Sequence, residues 1–163
     1  MTNSLIIKDK IKNFNKKIFI SGDKSISIRW VLFASLASGI SKARNLLMSE
    51  DVMAAINAIK QLGIKVKFEN KICKIFGAGI DGYKFRKNLT INAENSGTLG
   101  RLILGILIKT TNPIKIIGDK SLSKRDFKRI SDPLSKFGVT FKLKNDKNLP
   151  LTLCGSLKLK HTY

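Results

Sequence analysis

This chain is poor in the residues that hold metals or staple small folds. Its only cysteines, Cys73 and Cys154, stand 81 residues apart, and His161 is the lone histidine. Three residues so placed offer no zinc-type ligand spacing, so no metal site is expected. The cysteines read as free thiols within strands, as suits a reducing compartment. Long apolar runs are missing too. The longest, Trp30 to Ala37, is broken by Ser35 and bounded by Arg29 and Ser38, well short of the roughly 18–20 residues a membrane-spanning helix needs. Met1 to Lys10 holds no apolar core of the signal-peptide type. A cytoplasmic protein with no membrane partner is the expectation. Aromatic residues make 7% of the chain, without the interleaved stacking platform of single-strand nucleic-acid binders.

Acids are scarce as well: 11 against 31 lysines and arginines, for a net charge of +20. Such an excess admits a basic nucleic-acid or polyanion-binding module as the alternative function. Against it, the lysines run from Lys8 to Lys160 without gathering in one block. Lysine, isoleucine and asparagine together make 59 of the 163 residues, a bias that AT-rich coding produces unaided. A positive field of this size still concentrates small anionic substrates.

What is present is a pattern that occurs twice. Lys17 to Ile20 reads as a short strand, Ser25 to Ser38 as a helix buried nearly all round, and Ile40 to Leu46 as a strand. A helix from Glu50 to Leu62 then carries Val52, Ala55, Ile56, Ile59 and Leu62 on one face, and Gly63 caps its end. Strands from Ile64 to Phe68 and Ile72 to Phe76 close the unit. The order returns from Leu89 to Asn92 (strand), Ser96 to Lys109 (helix, with Leu99, Leu102, Ile103, Ile106 and Leu107 on one side) and Pro113 to Ile117 (strand). A helix from Lys124 to Phe137, kinked at Pro133, and strands Val139 to Leu143 and Leu151 to Cys154 complete it. Arg29 and Arg101 are 72 residues apart, Gly63 and Gly138 75, and Gly77 and Gly155 78. The expected fold class is therefore α/β, with two βαβαββ units at 17–85 and 86–155. Each such unit leaves a hydrophobic face that needs a neighbour, and repeat architectures usually need about three units. Residues 1–16, with a strand-like run at Leu5 to Lys8, match neither unit and read as an edge strand or a link to another domain. Residues 156–163 read as the cut-short start of a third unit.

Three segments stand out chemically. Ser21-Gly22-Asp23-Lys24-Ser25-Ile26-Ser27-Ile28-Arg29 runs from a strand end into a helix, whose free N–H groups and dipole favour an anion. Lys24 and Ser25 add donors there, and Arg29 lies one turn beyond Ser25 on the same face. An ordinary helix start with Ser25 as its cap explains the segment equally well. Glu94-Asn95-Ser96-Gly97-Thr98-Leu99-Gly100-Arg101 opens the matching helix of the second unit, and that recurrence favours anion binding over capping alone. Gly118-Asp119-Lys120-Ser121-Leu122-Ser123-Lys124-Arg125 repeats the Gly-Asp-Lys-Ser tetrapeptide at another structural position. Neither copy has P-loop spacing. Arg125, read as a helix-start residue, stands where the dipole prefers an acid, which marks it as a functional candidate.

In this order the three segments resemble the signature segments of the EPSP synthase (3-phosphoshikimate 1-carboxyvinyltransferase) family, with Asn45-Leu46-Leu47, Asp51 and Asp132-Pro133-Leu134 similar too. The resemblance spans about residues 14–155. It implies the enolpyruvyl transferase fold, an inside-out α/β barrel whose two domains are each made of three βαβαββ units, with two units present in this chain. It implies transfer of the enolpyruvyl group of phosphoenolpyruvate to shikimate 3-phosphate, in the shikimate pathway of aromatic amino acid and chorismate biosynthesis. No metal or organic cofactor is implied, and the full-length family is usually monomeric. Lys24 matches a residue contacting both substrates, Ser25 and Arg29 match residues holding shikimate 3-phosphate, and Gly97 and Arg125 match residues holding phosphoenolpyruvate, with Asn95 lining that site. The chain departs from the family at Ile28, at Glu94 (where glycine is frequent, so that an inward carboxylate would repel an anion), at Asp126 and in length. The family's acid/base aspartate and glutamate fall beyond this sequence, so the expectation is an N-terminal fragment inactive by itself, with its catalytic residues unknown.

Overall fold

Short polar caps start the first two helices. Asp23 accepts the Ile26 N–H at 2.7 Å and begins α1, Lys24–Leu36; Ser49 accepts the Val52 N–H and begins α2, Glu50–Gln61. Gly63, at φ +88°, ends α2 in the left-handed conformation that suits glycine. In the computed structural model, residues 6, 8, 10, 13 and 15–158 are described. Leu5 and Ile7 of the run expected at Leu5 to Lys8, and 159–163 of the segment expected to begin a third unit, lie outside them.

Strands β1 (Ser38–Arg44), β2 (Lys65–Glu69) and β3 (Ile72–Ala78) form an antiparallel sheet in the order β1-β3-β2, with Ile40 opposite Phe76 and Phe68 opposite Cys73. The second sheet has β4 (Thr90–Asn92), β5 (Ile114–Ile117), β6 (Thr140–Lys144) and β7 (Asn148–Cys154) in the order β4-β5-β7-β6. Here β4 runs parallel to β5 and the other pairs are antiparallel. Between β4 and β5 lies α3, Gly97–Ile106, whose last turn tightens to a 3-10 helix at Leu107–Lys109. A 3-10 turn at Leu122–Lys124 and α4, Lys128–Lys136, precede β6. From Thr90 onward the order is strand, helix, strand, helix, strand, strand.

One apolar core joins the two sheets and their helices: Ile28 and Val31 of α1, Ile56 and Ile59 of α2, Ile75, Leu99, Ile103, Ile116, Leu151 and Phe127 belong to it and are sealed from solvent. Alternation places Ile114 and Ile116 inward on β5, and Leu149, Leu151 and Leu153 inward on β7. Helix α1 packs against α2 and α3, and that contact brings the two sequence halves together. Gly77 and Gly155 do the same job in each half. A Cβ on Gly77 would lie 2.1 Å from the Ala37 carbonyl oxygen, and one on Gly155 2.0 Å from that of Ile108. Each glycine lets a strand end rest on the carbonyl end of a helix.

The elements differ from expectation in four places. Lys17 to Ile20 is not a strand: Ile18, Phe19 and Ile20 are exposed, and the Ile20 carbonyl is taken by the Asn45 side chain at 3.0 Å rather than by a ladder partner. Helix α1 is not buried all round, since Ile26 and Phe33 face solvent at 65% and 67% exposure. On α3, Leu104 is buried in place of Leu102. The helix expected over Lys124 to Phe137 is broken: the Asp126 carboxylate accepts the Lys128 N–H at 2.6 Å, while the Phe127 N–H donates to the Lys147 carbonyl at 2.8 Å. Burial of the Phe127 ring thus overrides helical periodicity at that turn. Pro133 is accommodated within α4.

Candidate functional site

The start of α1 is fixed from the neighbouring loop. The Leu47 N–H donates to Ser27 Oγ at 3.1 Å, and a Cβ at Gly22 would fall 2.2 Å from the Asn45 carbonyl oxygen. Only glycine lets the chain pass so close at that position. With Asp23 as the N-cap, Ser25 is not the cap that an ordinary helix start would make of it, and its hydroxyl is left for another partner. Lys24 forms an ion pair with Asp51 of α2 at 2.9 Å, its own side chain remaining 55% exposed. Arg29 is exposed one turn beyond Ser25.

The start of α3 is built by the same logic with different residues. Ser96 caps it, accepting the Leu99 N–H at 3.2 Å. Asn95 is turned aside, its amide donating to Asp119 Oδ2 at 2.6 Å, and Asp119 Oδ1 accepts the Leu122 N–H at 2.6 Å. These bonds, the Leu122 N–H first and Asn95 second, hold the Asp119 carboxyl below the usual aspartate range, with Arg125 adding a smaller electrostatic push. Both Gly-Asp-Lys-Ser copies therefore make one device, an aspartate accepting the N–H three residues on. In the first copy it opens an α-helix, and in the second a 3-10 turn.

Arg125 follows that turn in extended conformation, at φ −77° and ψ 151°. It is not at a helix start, since α4 begins at Lys128, so a dipole argument does not apply to it. Its guanidinium instead reaches the first residue of α3: a Cβ on Gly97 would lie 2.7 Å from Arg125 Nη1 and 3.3 Å from Arg101 Nη1. Two arginines thus face one point beside a helix N-terminus, and among the described residues neither has a carboxylate within 4.0 Å. Arg101 was legible as the basic residue that closes the second segment, 72 positions after Arg29, but without a role of its own. Glu94, in left-handed conformation at φ 49°, accepts a bond from the Asn92 amide at 2.7 Å and lines a groove against α2 with Glu50, Asn57 and Gln61. Its carboxylate is therefore occupied away from the arginines.

The structure brings Gly97, Arg101 and Arg125 together, sets Asn95 beside them through Asp119, and places Lys24, Ser25 and Arg29 on the helix packed against α3. Among the described residues no group of three His, Cys, Asp or Glu side chains converges to hold a metal ion, and no helix is long and apolar enough to cross a membrane. Cys73 is buried on β3, which raises its pKa, and Cys154 is partly buried on β7; both are free. The arrangement can neutralise and orient small anions at two helix starts.

Comparison with known proteins gives a consistent result. The family model described as EPSP synthase (3-phosphoshikimate 1-carboxyvinyltransferase) matches residues 8–162. A 3-phosphoshikimate 1-carboxyvinyltransferase of Streptococcus thermophilus is 37% identical over 158 residues, which is 96% of this chain and 37% of the relative. One from Streptococcus mutans is 42% identical over 142 residues, 86% of this chain and 33% of the relative. A solved structure of EPSP synthase from Acinetobacter baumannii superposes with a TM-score of 0.82 at 31% identity, covering 90% of this chain and 33% of that one. The chain thus spans about a third of the length of the relatives it matches.

Proposed function

This chain belongs to the EPSP synthase family, and we propose that it supplies the anion-binding part of a site that transfers the enolpyruvyl group of phosphoenolpyruvate to shikimate 3-phosphate. The observation that carries this reading is the pair of guanidinium groups at Gly97, unpaired with any described carboxylate and set at a helix N-terminus. Two multiply charged anions must be brought close for the 5-hydroxyl oxygen to bond to the enolpyruvyl carbon and for inorganic phosphate to leave. Fixed cations and helix dipoles offset the repulsion between them and favour the charge that develops in the transition state.

In this reading Gly97 and Arg125 hold phosphoenolpyruvate, with Asn95 beside them held by Asp119. Ser25 and Arg29 hold shikimate 3-phosphate, and Lys24 leaves Asp51 to touch both. Residues 17–85 and 86–155 are two copies of one unit of the inside-out α/β barrel, the first lacking its leading strand in this structure. The acid and base for the proton transfers are not assigned to any residue of these two copies. By itself the 163-residue chain binds without turning over, and its place is the cytoplasm.

Binding of each substrate to the chain, followed by calorimetry, tests the assignment. Removing one charged donor costs roughly 1.5–3 kcal/mol, about 10–150-fold in affinity. Lys24→Ala is expected to weaken both substrates, whereas Arg125→Ala weakens mainly phosphoenolpyruvate. Equal losses of both substrates in Arg125→Ala would count against the assignment, as would steady formation of enolpyruvyl product by the chain alone.

A further inference from the structure

No substrate contact is assigned to Arg101 in the reading above, yet its surroundings are unusual for a surface arginine. Its Nε is buried without a hydrogen-bond partner, its Nη2 donates to the Asp126 carbonyl at 3.4 Å, and its guanidinium carbon lies 5.6 Å from the centre of the Phe127 ring. Phe127 is fully buried and cannot move without opening the core. Arg101 therefore grips two consecutive residues of the segment that carries Arg125, from a helix one turn beyond Gly97. The planar fork of arginine can stack on a ring and donate in its own plane at once, which lysine cannot.

We propose that Arg101 is a positioning residue: it clasps 125–127 against α3 and so holds the Arg125 guanidinium over Gly97. This rests on the anion-site reading and deepens it. Without the clasp, the extended backbone at Arg125 is anchored by its N–H to the Leu122 carbonyl at 3.0 Å and by the Asn148 amide on its carbonyl at 3.1 Å. Those two bonds hold the main chain at Arg125 itself, while Arg101 holds the two residues that follow and brings its own Nη1 to the same point at Gly97. The second guanidinium also adds positive charge at the same point, so an arriving anion relieves repulsion between the two as it binds.

The test uses the 163-residue chain, with nitrogen-15 NMR of the Arg125 Nε–Hε group and titration with phosphoenolpyruvate and with inorganic phosphate. In Arg101→Met the Arg125 Hε is expected to exchange faster with water, and affinity for both anions to fall roughly tenfold, with the melting temperature little changed. Arg101→Lys, which keeps the charge but loses the planar fork, is expected to loosen Arg125 as Arg101→Met does while keeping part of the affinity. Unchanged Arg125 exchange in either variant overturns the proposal, and so does full rescue by lysine. Unfolding of both variants also overturns it, because Arg101 would then be a structural residue. If the unmodified chain binds neither anion while Arg125 still loosens in the variants, the clasp stands and the anion-site reading fails.

Discussion

Gly97→Ala separates the site from the fold more sharply than any charge removal. An ideal Cβ there falls 2.7 Å from Arg125 Nη1 and 3.3 Å from Arg101 Nη1, and its nearest neighbours all belong to those two side chains. Ordinary contact begins near 3.4 Å, so the Arg125 head must retreat by roughly 0.7 Å or more, against the small cost of turning a flexible side chain. Alanine is meanwhile the better helix former, by up to about 1 kcal/mol in a helix interior and less at a first position. Stability should therefore hold or rise slightly. Binding should not hold, because a charge-assisted bond stretched by that distance loses much of its roughly 1.5–3 kcal/mol, about tenfold in affinity. Thermal melting and calorimetric titration with phosphoenolpyruvate on the same sample read both quantities. A stable variant with unchanged affinity would refute the placement of the anion beside Gly97. A loss of several kcal/mol in stability would show that Gly97 is packed against backbone instead.

Gly77→Ala is the contrasting case, since its Cβ would sit 2.1 Å and 2.4 Å from two carbonyl oxygens at the end of α1; a loss of about 1–3 kcal/mol or more in denaturant unfolding is expected. Asp23→Ala removes the N-cap of α1 and should cost about 1 kcal/mol in the same assay, while Asp23→Asn should cost less. Asp119 should titrate below an ordinary aspartate when followed by NMR. Because its folded pKa is depressed, the stability it contributes is present above the unfolded value and fades as pH falls through the folded one. Asn95→Ala should move that pKa upward, and an unmoved value would remove Asn95 from the network.

What could be read from the sequence was what local chemistry decides. Val52, Ala55, Ile56 and Ile59 recur at helical spacing, and α2 formed within a residue of the expected bounds, because amphipathic periodicity and a glycine stop agree there. The candidate segments were legible as helix starts because a small polar residue followed by glycine or lysine there is itself a local device. The failures came where a distant partner decided the outcome. Lys17 to Ile20 has strand composition, but pairing needs the edge of β1, which begins 18 residues beyond Ile20, and the Asn45 amide holds the Ile20 carbonyl instead. The helix expected from Lys124 lost its first turn to Phe127, whose N–H is bonded to Lys147 from the loop between β6 and β7. Arg101 went unassigned for the same reason: its partners, Asp126 and Phe127, are 25 and 26 positions away.

The same distinction bears on the excess of positive charge. On the outer face of the first sheet Lys42 stands opposite Lys74, and Lys74 opposite Lys67, in direct register. Like charges so placed repel, and Glu69 bonds to Lys74 and lies 3.9 Å from Lys67. On the second sheet Lys115 and Lys142 are separated across Thr152. These lysines are spread over two surfaces and partly neutralised, and they set a field rather than a binding point. At Gly97 the opposite holds: two guanidiniums converge on one spot and no described carboxylate answers them. A polyanion-binding module needs the first kind of surface to be continuous, whereas a small doubly charged substrate needs only the second. Salt separates the two, because binding across many lysines falls steeply with ionic strength. Capture of phosphoenolpyruvate by Arg125 at a helix start, with a second guanidinium beside it, would change far less, so a shallow salt dependence that is abolished in Arg125→Ala is the result the convergent site requires.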